Sequence, residues 1–152
     1  MLTADEGEAI WFGDGLVTIK ASAETTGGSM AVMEFISLPG PGPLHLHHLE
    51  TEAFYILEGQ MRVVVGDESW IAGPESFVWL PRGIQHGYAV GDVPLRMLVI
   101  ALPAGFEDFI REAGEPAQEH ALPPLGLFDM DRTMAAAANH QIDMLGLVEF
   151  EP

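Results

Sequence analysis

Two histidines one residue apart, His45 and His47, a carboxylate five residues later, Glu52, and a distant histidine, His86, are the side chains of this sequence best suited to holding a metal ion. Side chains alternate faces along a strand, so His45 and His47 at i and i+2 point the same way and offer two imidazoles to one ion. Glu52 must follow a bend before its carboxylate joins them. His86 arrives from a distant strand after the turn Pro81-Arg82-Gly83. Three neutral imidazoles and one carboxylate suit a single divalent transition ion, whether iron, manganese, nickel, cobalt, copper or zinc, and suit calcium or magnesium poorly. An ion that accepts five or six donors then keeps positions open for water, substrate or dioxygen. An isolated H-x-H is more often a pair of surface or half-buried histidines. Here the pair is joined by Glu52, by Gly59 and by the run Pro81-Arg82-Gly83-Ile84-Gln85-His86, and that conjunction points to ligation. His48 alternates away from His47 and reads as an exposed or packing histidine. Glu50 lies in the bend and competes with Glu52 for the carboxylate position.

The elements that must position these groups are short strands. Alternating or continuous apolar runs predict strands at 9–12, 16–21, 30–38, 44–47, 53–57, 61–65, 68–72, 77–80, 87–90 and 95–102, separated by Gly- and Pro-rich turns such as Gly13-Asp14-Gly15 and Pro39-Gly40-Pro41-Gly42-Pro43. Such a series implies a closed or sandwiched antiparallel architecture. Val63-Val64-Val65 and Leu98-Val99-Ile100 are continuous apolar runs, which predicts burial on both faces of part of the sheet and a surface on which two copies could pair. After Pro103 the period changes. Phe106, Phe109 and Ile110 have helical spacing, stopped by Gly114 and Pro116. The Pro-rich stretch 115–127 reads as a loop. Asp129 or Asp131 caps a second helix through about Ile142, with Met130, Met134, Ala137 and Ala138 near one stripe.

Composition bounds the function classes. The 152 residues are 48% hydrophobic and fit one domain, with a barrel at about 9–102 and a helical tail at about 104–152. Six Lys plus Arg against 23 Asp plus Glu give a net charge of −17, which repels phosphate backbones and anionic lipid and argues against nucleic-acid and membrane partners. There is no cysteine, so any metal is held by nitrogen and oxygen donors. The start of the chain lacks the order of a signal peptide, and the expectation is a soluble cytoplasmic protein.

The runs Pro43-Leu44-His45-Leu46-His47-His48-Leu49-Glu50-Thr51-Glu52, continued to Gly59, and Pro81 to His86 resemble the paired motifs of the cupin superfamily. The register to Gly59 favours Glu52 over Glu50 as the ligand. The C-terminal helical tail resembles that of small quercetinase-like cupins. Three departures leave the ligands untouched: a longer stretch from Gly73 to Pro81, Val90 where an Asn often stands, and four residues between Gly40 and His45. The resemblance implies an all-β double-stranded β-helix, or jelly roll, with a short C-terminal helical appendage. Cupins include dioxygenases, isomerases, cyclases, lyases and metal-free binding domains, so the site must decide function. Alternation from Glu52 puts Phe54 and Ile56 on its face, and alternation from His86 puts Tyr88 and Val90 there. This predicts a mostly apolar cavity with one phenol, and Phe54, Ile56 and Tyr88 as substrate contacts. The expectation is a metal-dependent, quercetinase-like dioxygenase acting on an aromatic or enol-containing small molecule, with Glu52 as ligand or proton acceptor. A non-redox isomerase, cyclase or dehydratase, and a non-catalytic small-molecule-binding module, are the alternatives. Cupins commonly pair, and a homodimer is expected.

Overall fold

The computed structural model describes residues 1–151, and in it the predicted strand series closes into two antiparallel sheets. The elements in order are β1 (Glu8–Phe12), β2 (Gly15–Ala21), α1 (Ala23–Thr26), β3 (Ala31–Ser37), β4 (Gly42–His47), β5 (Thr51–Glu58), β6 (Met61–Val65), β7 (Glu68–Ala72), β8 (Phe77–Leu80), β9 (His86–Val90), β10 (Leu95–Leu102), α2 (Phe106–Ala113), β11 (Glu115–Pro116), α3 (Met130–Asn139) and β12 (Ile142–Val148). One sheet has the order β11-β1-β2-β3-β10-β5-β8 and the other β12-β4-β9-β6-β7. Successive strands therefore alternate between sheets at the β3–β4, β4–β5, β5–β6, β7–β8, β8–β9 and β9–β10 connections, as in a jelly roll.

The core lies where the inner faces meet. In β10, Leu95, Met97, Val99 and Ala101 are buried and Arg96, Leu98 and Ile100 are half-buried, the period-two pattern of a sheet with one face inward. β6 behaves the same way, with Met61 and Val63 buried and Val64 and Val65 half-buried. Burial of these continuous apolar runs on both faces is thus not reached within the chain; their outer faces keep part of their surface open.

The largest difference from the sequence expectation is at the C-terminus, where the tail is not wholly helical. α3 stops at Asn139, Gln141 takes a positive φ of 54°, and β12 returns antiparallel along the free edge of β4, pairing Ile142 with His47 and Met144 with His45. Edge strands leave backbone donors and acceptors open, and β12 satisfies those of β4. Its burial is irregular, so period two is weak in the sequence. The buried residues of α3 are Thr133, Ala136 and Ala137, with Met130, Met134 and Ala138 exposed. Small side chains let α3 lie close upon the fold, which the larger methionines would prevent. α2 is anchored by the fully buried Glu107, whose carboxylate accepts from the N–H groups of Gly105 (2.7 Å) and Ala23 (2.8 Å).

Glycine fixes the approach of β4 to β9. A Cβ on Gly87 would run into the Pro43 carbonyl and lie 3.1 Å from the Leu44 Cα. Backbone cannot yield there as a flexible side chain can. Gly87→Ala is expected to destabilise the fold by about 1–3 kcal/mol, read as a lower urea midpoint with an unchanged slope.

Candidate metal centre

β4 and β9 are antiparallel neighbours, and their register sets His45 directly opposite His86. His47, two residues along β4, turns to the same side. Glu52 comes from β5 in the other sheet, so the cluster spans the gap between the two layers. The ligand atoms of His45, His47, Glu52 and His86 all lie within 4.8 Å of one another. His47, Glu52 and His86 are each 1% exposed, while His45 is half-buried on the open side. The four residues proposed from spacing are therefore brought together.

Each imidazole is held by its Nδ1, leaving Nε2 for the centre. The His45 Nδ1 donates to the Pro43 carbonyl at 3.0 Å, that of His86 to the Ile84 carbonyl at 3.3 Å, and that of His47 to the Glu50 carboxylate at 2.7 Å. Glu50 is therefore not a rival of Glu52. It is buried behind His47 and positions that ring, an outer carboxylate of the kind that fixes tautomer and raises ligand basicity. Its signal in the sequence is an acidic residue in the bend three positions after a ligand. His48 faces outward as expected and pairs with Asp143 at 2.8 Å.

Glu52 Oε2 lies 2.8 Å from His86 Nε2 and 3.0 Å from His47 Nε2. The His47 Nε2 is nonetheless a buried polar atom without a hydrogen-bond partner of acceptable geometry. Buried polar groups are rarely left so, and a cation at the centre would satisfy it. With three imidazole nitrogens and one carboxylate converging, the residues fit a divalent metal ion.

Without an ion the cluster redistributes charge. Burial draws the His47 imidazolium down, but the Glu52 carboxylate and the bond to Glu50 outweigh it and hold His47 up at about 9. Burial, with the neighbouring His86 and His47, lowers His45 to about 3. Burial pushes the Glu52 carboxyl up, yet the charge of the adjoining His47, its close approach, and the bond from His86 overcome this and keep it well below the usual carboxylate range.

The centre opens into a cavity of about 370 Å³. His45 and Glu52 form its polar floor, and Phe35, Phe54, Tyr88, Met97, Phe106 and Phe109 are among its walls. Among the described residues no Lys or Arg is on its wall, and Arg62 and Arg96 are tied to Glu149 and to Glu34 and Glu58 on other surfaces. Phe54 and Tyr88 face each other edge to face at 5.6 Å. Ile56, expected from alternation to face the substrate, is fully buried in the core and is not among the residues that line the cavity. Sequence reasoning missed the far wall, made by Phe128, Met130, Ile142, Met144 and Leu147 of the C-terminal segment. No helix among the described residues is long and apolar enough to cross a membrane.

This architecture, two sheets clasping a three-histidine, one-carboxylate centre, is that of a metal-binding cupin. Residues 35–101 match the family model described as Cupin domain. A quercetin 2,3-dioxygenase of Bacillus subtilis (strain 168) is 31% identical over 129 residues, which cover 81% of this chain and 37% of that protein. The chain thus spans little more than a third of that relative's length. An RmlC-like cupin from Shewanella frigidimarina NCIMB 400 superposes with a TM-score of 0.63 at 17% identity, over 72% of this chain and 95% of its own. KdgF from Halomonas sp. superposes with a TM-score of 0.57 at 16% identity, over 62% and 85%. The chain belongs to the cupin superfamily.

Two outcomes follow from the centre. Glu50→Ala should weaken metal binding about 10- to 100-fold with the fold retained, whereas His86→Ala removes a ligand and should lose the ion on gel filtration; both are read by elemental analysis. Because His47 carries its proton up to about 9 and must release it to ligate, metal affinity should rise with pH through neutrality and level off above that value. Calorimetric titration in buffers of different ionisation enthalpy should detect the released proton.

Proposed function

We propose that this protein is a metal-dependent dioxygenase of the quercetinase type, acting on an uncharged, flat aromatic or enol-containing small molecule. The observation that carries the reading is the joining of the ligand cluster to an apolar, aromatic-walled cavity with no Lys or Arg among the described residues of its wall. Such walls favour planar rings and offer a carboxylate or phosphate no counter-charge. The likeness to the Bacillus subtilis quercetin 2,3-dioxygenase supports the same reading.

The bound ion would supply Lewis acidity, favouring the ionised form of a substrate hydroxyl. The protein supplies position and exclusion of water. Phe54 and Tyr88 form an edge-to-face corner against which a ring packs. His45 and Glu52 present the polar end, so a hydroxyl-bearing edge is drawn to the floor while the apolar edges meet the phenylalanines. Glu52 accepts the hydroxyl proton on its carboxylate, the group at the floor suited to do so. Dioxygen is the oxidant, and both of its atoms enter the ring-opened product.

A metal-dependent isomerase, cyclase or dehydratase would use the same ligands on a carbonyl substrate without consuming dioxygen. Oxygen uptake on adding quercetin to protein separately loaded with iron, manganese, nickel and cobalt separates the two. Uptake that requires the ion and falls by about 100-fold or more in Glu52→Ala is the expected result. Metal-filled protein that binds the flavonol without uptake would move the assignment to non-redox chemistry.

A further inference from the structure

Three side chains of the C-terminal segment belong to the cavity and to the surface at once. Phe128, Met130 and Leu147 line the cavity, yet they are 44%, 54% and 65% exposed. Wall residues deeper in are sealed, as Phe106 and Phe109 are. The three therefore form part of the rim of the mouth. Register sets Leu147 beside Pro43, and Pro39 and Pro41 carry the exposed apolar rim on along the β3–β4 connection. Single exposed apolar residues are ordinary on a protein surface, but these are continuous with a cavity that ends at the ligand cluster.

Packing of the segment does not account for Phe128 and Met130. α3 rests on the fold through Thr133, Ala136 and Ala137. It is tied to α2 by Arg132 Nε, which donates to the Glu112 carbonyl at 2.9 Å, and by the side chains of Asn139 and His140, which meet the Glu112 carboxylate at 2.5 Å. Asp129, between the two rim residues, caps α3 by accepting from the Arg132 N–H at 3.0 Å. Phe128 and Met130 are thus held at the mouth by contacts that their neighbours make.

We propose that Phe128, Met130 and Leu147 form an outer subsite that selects substrates with an apolar part, aromatic above all, extending beyond the cavity. The subsite rests on the reading of the cavity as a place for a flat, uncharged substrate, and it adds the residues that set how far that substrate reaches. A hydroxyl-bearing edge anchored at His45 and Glu52 leaves the opposite end of the molecule directed outward. At about 370 Å³ the cavity is at the small end of ligand sites, so a head of two fused rings takes up much of it and a further ring emerges at the rim. Covering Phe128 and Leu147 there removes apolar surface from water, which favours binding. The Met130 thioether adapts to irregular shapes and makes favourable contacts with ring edges, and the Phe128 ring offers an edge or a face to a second ring. Charge narrows the class further. Asp14, exposed where it meets the cavity, would repel an anionic end, and the Thr133 hydroxyl already donates to the Asp129 carbonyl at 2.8 Å.

Zinc-loaded protein under argon gives the test, because zinc has no redox chemistry and affinity is then read apart from oxygen consumption. The probes are 3-hydroxychromone and 3-hydroxyflavone, which share the metal-binding edge and differ by one phenyl ring. Absorbance titration should show the flavone bound about 10- to 100-fold more tightly, the scale of discrimination that apolar contacts supply. In Phe128→Ser/Met130→Ser the preference should fall to about 3-fold or less, with metal content and circular dichroism spectrum unchanged. Leu125→Ser, 89% exposed in the same segment but off the cavity wall, should keep the full preference. Equal affinities in the unsubstituted chain, or a preference that survives the paired substitution or falls as far in Leu125→Ser, would overturn the subsite and leave the substrate reading standing. Failure of both probes to bind the metal-filled protein would overturn that reading, and the subsite with it.

Discussion

A carboxylate buried between two sheets is the constraint on which the rest of this structure depends. Glu52 rises from β5 in one layer and meets His47 and His86 from β4 and β9 in the other. An isolated buried carboxylate is costly enough that a fold avoids it, so the imidazoles must stand within hydrogen-bonding distance. That requirement sets the separation of the layers at this end of the barrel. It also explains why β4 and β9 approach so closely at Gly42 and Gly87, where side chains would hold the histidine strands apart.

The outer groups serve the same end. Glu50, Pro43 and Ile84 each take up one imidazole Nδ1, so all three rings present Nε2 to a common point. Rings held from behind are already oriented before an ion arrives, which reduces the ordering cost of binding. The cavity opens on the side of His45 and Glu52, and Phe106 and Phe54, which pack edge-on against the His47 and His86 rings, form part of its wall. Apolar walls around a charged floor strengthen electrostatic interactions there relative to water.

The C-terminal segment is a structural part of the site and not an appendage resting on the barrel. β12 lies along β4 beside His45 and His47, and the turn into α3 brings Phe128 and Met130 to the cavity. Truncation of this segment would open both the edge of a ligand strand and one wall of the pocket. Ala-rich composition in α3 is what lets it pack closely enough to do this.

The sequence by itself determined the strand series and the ligand set, because both depend on local periodicity. Alternation aligns His45 with His47, and the strands at 61–65, 68–72, 77–80 and 95–102 appear with the bounds the pattern indicates. Phe54 and Tyr88 reach the cavity for the same reason. Only the tertiary structure decided what depends on distant partners. β12 has little alternation of its own and exists as a strand because β4 offers a free edge. Glu50 becomes a positioning group because the bend turns it inward behind His47, a direction that no period specifies. Ile56 shares the inward face with Phe54, yet packing, not alternation, settles which of them meets the cavity and which fills the core.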